Sequence, residues 1–230
     1  MLKAPKFWYK KNDTYLSNTL YPLSLLFRFG TKLRNILSRK RISKIPVICI
    51  GNIVVGGAGK TPVAISLAKF LISKGLNPHF ITRGYKGTAK GPLIVSKDHS
   101  FHEVGEESLL HSHFGLTCVS KKKFSGAKFC EAQGGELIIM DDGLQSVDIK
   151  KDLKILVIDG EFGFGNKKLL PSGPLREPIK SCIERADIIV VIDPIKNLKQ
   201  LNEVPKQKLF VAKKKISYRK FSNKSIFVFS

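Results

Sequence analysis

The sequence has few cysteines and no pattern that pairs them. The four cysteines, Cys49, Cys118, Cys130 and Cys182, form no C-x-x-C motif and mostly lie inside apolar runs, where cysteine behaves as a small hydrophobic residue. Two close histidine pairs, His99 with His102 and His111 with His113, occupy a polar stretch without cysteine partners. We therefore expect no metal site of the zinc type, surface histidines, and a reducing cytosol around the chain.

Acidic residues are also scarce. Eighteen Asp and Glu stand against forty Lys and Arg, which gives a formal net charge of +22. Such an excess attracts nucleic acid, an acidic lipid surface or a phosphorylated substrate, although solvated surface lysines, such as the runs Lys121–Lys123 and Lys213–Lys215, explain it equally well. The chain has no aromatic RNA-binding motif and no helix-turn-helix pattern, so nucleic acid is not an expected partner.

No apolar run is long enough for a spanning helix. The stretch rich in Leu and Phe that starts near Leu20 meets its first charge at Arg28, short of the roughly 20 residues that a bilayer requires. Apolar residues at helical spacing continue to Leu37 among basic ones. We expect residues 1–42 to be a membrane-associating segment whose helix lies on the bilayer. The alternatives are a secretory signal, which Pro22 and Arg28 interrupt, and an ordinary core helix. The apolar stripe comprises Leu23, Leu26, Phe27, Leu33 and Leu37.

From Ile45 onward, short β-branched runs alternate with helical stretches. Apolar runs without alternation are typical of strands that are covered on both faces. The pattern predicts an α/β fold of the P-loop NTPase type over residues 43–196, with a mostly parallel sheet, flanking helices and a ligand site at the carboxyl ends of the strands. The predicted strands are Val47–Ile50, Phe80–Thr82, Leu116–Val119, Leu137–Met140, Ile155–Ile158 and Ile188–Ile192, and the main helices are Lys60 to about Lys74 and Phe124–Ala132.

The most informative segment runs from Val47 to Thr61, where an apolar strand enters a glycine-rich turn that ends in Gly-Lys-Thr. Glycines allow backbone N–H groups to approach phosphate oxygens, and the helix that starts at Lys60 directs its positive end toward them. The first glycine of the usual G-x-x-x-x-G-K-[ST] pattern is replaced by Val54. The segment predicts nucleoside triphosphate binding without choosing between a kinase, an ATPase and a GTPase.

Further polar groups follow the strands. Asp141 and Asp142 come after Leu137–Met140, which favours a Mg²⁺ site over a solvated turn. Arg83-Gly84-Tyr85 follows Phe80–Thr82 and suits a phosphate or sugar contact. Glu106 and Glu107 precede a helix expected to begin near Ser108, and a long Gly- and Pro-rich loop, residues 163–178, carries Arg176.

In this order the motifs resemble one family, the tetraacyldisaccharide 4′-kinases of lipid A biosynthesis. The resemblance covers nearly the whole chain, and its most specific parts are the Thr61-Pro62 ending of the turn and the Leu170–Pro178 segment. The other matching motifs are Pro5–Tyr9, Gly51–Pro62, Thr82–Tyr85, Val104–Glu107 and Asp141–Gln145.

The resemblance implies a kinase at the cytoplasmic face of the bacterial inner membrane. Its reaction would move the γ-phosphoryl of ATP, with Mg²⁺ as cofactor, onto the 4′-hydroxyl of a lipid-linked glucosamine disaccharide 1-phosphate; no obligate protein partner is evident. The implied ATP-binding residues are Val54, Val55, Gly56, Gly57, Ala58, Gly59, Lys60 and Thr61. Lys60 would also be catalytic, and Thr61 would also bind the metal. The metal set adds Asp141 and Asp142, the catalytic base is Glu106 or Glu107, and the substrate or phosphate contacts are Arg83, Tyr85, Gln145 and Arg176.

Three departures from the family pattern affect the expected activity. The acidic pair is usually Asp-Glu but is Glu106-Glu107 here, and the family's usual Phe-Gln-His is replaced by Leu144-Gln145-Ser146. The family also continues into a second domain, whereas this sequence stops at Ser230. We therefore expect residues 197–230 to be the start of an incomplete, truncated second domain. The alternative function is a catalytically impaired ATP- and membrane-binding protein of the same family.

Overall fold

The strand that precedes the glycine-rich turn lies in the interior of a single sheet. The computed structural model describes residues 5–10, 14–193, 201–202 and 204–214, and within them the strand order is β3-β4-β2-β5-β1-β6-β7-β8. All neighbouring strands are parallel except β3, which runs antiparallel to β4 at one edge. The strands are β1 Val47–Gly51, β2 Pro78–Thr82, β3 Leu93–Ile94, β4 Thr117–Val119, β5 Leu137–Asp141, β6 Leu153–Asp159, β7 Ile188–Ile192 and β8 Leu209–Ala212.

Helices cover both faces of this sheet. Alternate residues of β5 point to opposite faces, so Ile139 packs with Ala64 and Ala68 of α3, whereas Ile138 and Met140 pack with the core that includes α6 and α7. Burial on both faces is the physical reason that the strands are continuous apolar runs, as predicted. The helices are α1 Tyr15–Thr19, α2 Tyr21–Leu37, α3 Lys60–Ser73, α4 Phe101–Val104, α5 Glu106–Ser112, α6 Lys123–Ala132 and α7 Ile179–Arg185.

The N-terminal helices are attached to the long loop that follows β6. Ser172 lies at the centre of the contact: its backbone N–H donates to Ser24 Oγ at 3.2 Å, and its hydroxyl donates to the carbonyl oxygen of Ser17. Ser17 Oγ in turn donates to the Ser172 carbonyl at 2.9 Å. All three serines are buried. Trp8 adds an Nε1–H bond to the carbonyl of Pro171 at 3.1 Å.

The same loop is attached to the glycine-rich turn. Val55 N–H donates to the Pro174 carbonyl at 2.9 Å and Arg176 N–H to the Ile53 carbonyl at 2.8 Å. The loop therefore lies between α1–α2 on one side and the turn on the other. Because these are backbone bonds, they fix the position of the turn whatever side chains it carries.

Helix α2 shows most of its apolar residues to solvent. Ser24 is its buried position, whereas Leu26 is 68% exposed and Phe29 is 67% exposed. Of the predicted stripe, Leu23, Leu26, Leu33 and Leu37 are exposed and Phe27 is half-buried. Within the described part of the chain, no helix is both long and apolar enough to cross a bilayer.

Several sequence expectations need correction. Strand β8 lies in the segment set apart as the start of a second domain, yet it pairs with β7 and extends the core sheet. Helix α5 begins at Glu106 instead of near Ser108, because Gly105 at φ 82° starts a new helix directly. The expectation of surface histidines and solvated lysines is wrong for His111 and Lys123, which are 0% and 3% exposed. The four cysteines are buried and free, as expected.

Candidate functional site

The site forms where β1 and β5 end side by side. Ile50 of β1 is in register with Asp141, the last residue of β5, so the turn that leaves β1 passes directly beside this carboxylate. Asp141 is itself the last residue of β5, whereas the sequence analysis placed it just after the strand. Parallel strands whose connections leave at the same edge form a ligand crevice at that edge.

The glycine-rich turn leads into α3 through a left-handed residue. Gly59 has φ 74° and precedes Lys60, the first residue of α3. The backbone N–H groups in the first turn of a helix have no partner within the helix and favour an anion. Val54 is buried and bridges to Leu175, Val55 is partly exposed, and Asn52 Nδ2 donates to the Gly56 carbonyl at 3.1 Å. Gly56 and Gly57 are exposed, so this part of the turn is open to a phosphate chain, whereas Ala58 is buried.

The two residues after Gly59 contact the two aspartates separately. Thr61 Oγ1 donates to Asp141 Oδ2 at 2.9 Å, and Lys60 Nζ lies 3.6 Å from Asp142 Oδ1. Asp142 Oδ1 also accepts a hydrogen bond from Arg176 Nη1 at 3.0 Å. Burial raises the pKa of Asp142, but Lys60 and Arg176 outweigh it and hold that pKa below its ordinary value. The paired aspartates thus have different partners, Asp141 the threonine and Asp142 the cations.

Gln145 and Arg176 join this centre to the loop after β6. Arg176 Nη1 donates to Gln145 Oε1 at 3.2 Å, and Gln145 Nε2 donates to the Asn52 carbonyl at 3.1 Å. Gln145 Nε2 also donates to Glu177 Oε1, which pairs with Arg185 at 2.8 Å. Two predicted contact residues are therefore engaged within the protein in this structure, and Glu177 is a site residue that sequence reasoning missed.

Glu106 and Glu107 form the first turn of α5 and remain accessible to solvent. The site beside Glu107 removes part of the water around its carboxyl, which raises its pKa, and the negative charge of Asp141 adds to the rise. Glu107 is therefore electrostatically coupled to the centre.

Arg83 and Tyr85 lie at the rim instead of in the centre. Both are exposed, and Arg83 makes no hydrogen bond or ion pair with another described residue. Their loop packs tightly on the segment that carries Glu106 and Glu107, since a Cβ added at Gly105 would lie 2.4 Å from the Tyr85 carbonyl oxygen. The structure thus brings the backbone of Tyr85 against Gly105, the residue before Glu106, and leaves both side chains exposed.

Two buried residues near the centre escaped the sequence analysis. His111 Nε2 lies 3.0 Å from Asp141 Oδ2, and Glu107 lies one helical turn before it. Lys123 has no hydrogen-bond partner for Nζ among the described residues, and burial lowers its pKa to about 8. The spacing Glu107 to His111 was the available signal, because residues four apart share one face of a helix.

The donor set fits a divalent cation that phosphates help to hold. Asp141 Oδ1 is buried and has no partner among the described residues, so one carboxylate oxygen of the centre is open for a ligand. No group of three or more His, Cys, Asp or Glu side chains capable of holding a metal occurs in the described part. Mg²⁺ suits a site with so few protein ligands, because it keeps waters and phosphate oxygens as ligands and needs only one or two carboxylates.

Comparison with known sequences agrees with this geometry. The family described as LpxK, tetraacyldisaccharide-1-P 4′-kinase, matches residues 16–226 of the chain. The chain belongs to this family. A tetraacyldisaccharide 4′-kinase of Paramagnetospirillum magneticum is 47% identical over 192 residues, which are 83% of this chain and 58% of that protein. Another, from a Jannaschia species, is 44% identical over 194 residues, 84% of this chain and 59% of that one.

A solved structure of a family member has the same fold. LpxK from Aquifex aeolicus, an "apo" form in complex with ATP, superposes with a TM-score of 0.73 at 31% identity, covering 85% of this chain and 64% of that one. The predicted fold class is therefore confirmed, and so is the family resemblance. The chain spans less than two thirds of the length of these relatives.

Proposed function

We propose that this chain binds ATP with Mg²⁺ and transfers the γ-phosphoryl group to the 4′-hydroxyl of a lipid-linked glucosamine disaccharide 1-phosphate. The observation that carries the proposal is the 2.9 Å bond between Thr61 Oγ1 and Asp141 Oδ2, directly after a glycine-rich turn. A hydroxyl and a carboxylate in this relation are the metal-holding pair of P-loop enzymes. The family relation and the ATP complex of a relative support the nucleotide.

The chain's own residues supply positioning and charge. The amides of residues 56–60 and the Lys60 ammonium bind the phosphates, and Thr61 and Asp141, with Asp142, would hold the magnesium ion. When bound, that ion neutralises charge on the β- and γ-phosphates. Glu107 accepts the proton of the sugar hydroxyl as the sugar oxygen bonds to the γ-phosphorus and the bond from that phosphorus to the β-phosphate oxygen breaks, so that ADP leaves. Its raised pKa makes Glu107 a stronger base than an ordinary glutamate.

A basic cavity beside the centre suits the acceptor. Its volume is about 770 Å³, and among the described residues that line it ten are Lys or Arg and two are acidic. Helix α2 forms one wall with Arg28, Lys32 and Arg34, while Gln145 and Arg176 join the cavity to the nucleotide centre. The basic side chains of this cavity favour binding of the phosphate of the disaccharide. Because α2 forms one wall, the acyl chains of a bound disaccharide would lie close to the exposed apolar residues of that helix.

The test is phosphoryl transfer by the purified chain. With γ-labelled ATP, Mg²⁺ and the tetraacyl disaccharide 1-phosphate in detergent, we expect a lipid product that carries a second phosphate. Asp141→Asn should reduce the rate by at least about 100-fold, the scale of one well-placed electrostatic contribution. Lys97→Met, a change of a surface lysine away from the centre, is the matched control and should retain the native rate. Absence of any doubly phosphorylated product from the native chain would refute the proposal.

A second candidate, a nucleotide- and membrane-binding protein without turnover, is favoured by one observation. Arg176 and Lys60, two cations expected on the phosphates, are both paired with Asp142 in this structure. If ATP did not displace these pairs, the nucleotide would bind without being activated. ATP binding of ordinary affinity with no transfer would support this candidate, and measurable transfer would reject it.

We also infer that α2 holds the protein peripherally on the cytoplasmic face of the inner membrane. The exposed apolar residues of α2 lie next to Arg28 and Lys32, the combination by which a helix binds an anionic bilayer surface. Leu26→Asp with Phe29→Asp should abolish flotation with vesicles that contain anionic lipid. Phe70→Asp, on an exposed position of α3, is the control and should float like the native chain. Equal flotation of both variants would contradict the inference.

A further inference from the structure

His111 lies in the interior although its surroundings in the sequence are polar. Its exposed fraction is 0%, and its ring stacks on Phe80 of β2 with centroids 4.4 Å apart and an interplanar angle of 22°. A side chain so enclosed cannot reach a nucleotide or a sugar. Any contribution from His111 to the site must therefore pass through a residue that it contacts.

That residue is Asp141. Two donors converge on Oδ2 of this carboxylate, Thr61 Oγ1 at 2.9 Å and His111 Nε2 at 3.0 Å. An ionised carboxylate only accepts hydrogen bonds, so His111 presents the proton at Nε2. The other carboxylate oxygen, Oδ1, is buried without a partner among the described residues. The two donors thus fix the rotation of the carboxylate and leave one defined oxygen for a ligand.

The helix that carries His111 also carries the base. Glu107 and His111 are four positions apart on α5, and Ser108 between them shares a 2.6 Å hydrogen bond with Thr82 of β2. One end of this short helix is therefore attached to β2 and the other to Asp141 of β5. The His111–Asp141 bond thus links the helix that carries Glu107 to the end of β5.

We propose that His111 is a positioning residue of the magnesium–nucleotide site: its Nε2–H holds Asp141 with Oδ1 directed to the cation and fixes the base-bearing helix against that carboxylate. The inference rests on the proposed function, since it requires Asp141 to face magnesium. Partners that orient a metal-binding carboxylate typically change metal affinity by about 10- to 100-fold when they are lost. His111 should act at this scale without touching substrate.

The variants that isolate the donor are His111→Met and His111→Gln. The two new side chains are unbranched and similar in size, but only glutamine keeps an N–H donor at the distance of the imidazole Nε2. His79→Met is the matched control, because His79 is a buried histidine of the neighbouring strand β2 that makes no hydrogen bond to Asp141.

The measurement is the affinity for ATP by calorimetry, once with Mg²⁺ and once with EDTA. The ratio of the two affinities is the magnesium increment. We expect His111→Met to reduce the increment about 10- to 100-fold at unchanged affinity in EDTA, His111→Gln to restore most of it, and His79→Met to leave it native. A merely structural role would lower both affinities together and would not distinguish Met from Gln.

A native increment in His111→Met, or an equal loss in His111→Gln, would overturn the inference. Absence of any increment in the native chain would instead reject the proposed function and this inference with it, so the two failures are distinguishable. A second readout needs no variant. Nitrogen spectra of the native histidines should show His111 as the Nε2–H tautomer that shifts on addition of Mg²⁺ to the ATP complex; the opposite tautomer would overturn the assignment.

Discussion

Gly59 offers the sharpest test of the turn, because other residues adopt its left-handed backbone conformation only at a cost in free energy. Its φ is 74°, and a Cβ built on it would lie 2.4 Å from Ile192 Cδ1. The left-handed conformation costs an alanine about 1–2 kcal/mol. Ile192 is buried, so its terminal methyl group must rotate away from a favoured rotamer, at about 0.5–1.5 kcal/mol. We expect Gly59→Ala to lower the free energy of unfolding by about 2–3 kcal/mol.

The neighbouring glycine provides the control. Gly57 has nothing within 4 Å of an added Cβ and no φ in the left-handed range. Gly57→Ala should therefore change stability by less than about 0.5 kcal/mol. Urea unfolding of both variants followed by circular dichroism measures the difference. The strain in Gly59→Ala falls on the amides that start α3, so its ATP affinity should drop about tenfold as well. Equal unfolding free energies for the two variants would refute the reasoning.

Three further predictions concern charge and attachment. Asp142 has a lowered pKa, so its stabilising contribution is present above the ordinary value of 3.8 and is lost as the pH falls from there through the folded value. Asp142→Asn should therefore flatten the loss of unfolding free energy below about pH 4. If Glu107 is the base, the acidic limb of the pH profile of kcat/KM should have its midpoint above 4.5, the ordinary pKa of a glutamate. This limb should be absent in Glu107→Gln and present in Glu106→Gln. Ser172→Ala removes the hydroxyl bond to Ser17, so the unfolding free energy should fall by about 1–3 kcal/mol, whereas Ser181→Ala on α7 should leave it native.

Much of the sheet was predictable because its central strands are buried on both faces. Val47–Gly51, Leu137–Asp141 and Ile188–Ile192 are apolar throughout or nearly so, and that composition is required by the helices on either side. Strand β3 has two residues and strand β8 is half exposed, so neither carries a periodic signal. Both depend on pairing with a neighbour that is distant in the sequence.

The residues of the candidate site also fall into a group that the sequence predicts and a group that it does not. Lys60, Thr61 and Asp141 were found because a local turn and a strand end place them, whatever the rest of the chain does. His111 was misread as a surface residue because its contact with Asp141 joins residues 30 positions apart. The raised pKa of Glu107 likewise arises from burial beside the site and from the charge of Asp141, which lies on another element. Tertiary contacts, and not composition, decide such roles.

The most direct test of the account is a crystal structure with a nonhydrolysable ATP analogue and Mn²⁺ in place of magnesium. Anomalous scattering locates manganese independently of the phosphates. We expect one manganese peak bonded to Asp141 Oδ1 and Thr61 Oγ1, with the β- and γ-phosphates on the amides of residues 56–60. Manganese or phosphates bound elsewhere, with Asp141 Oδ1 still unpartnered, would contradict it.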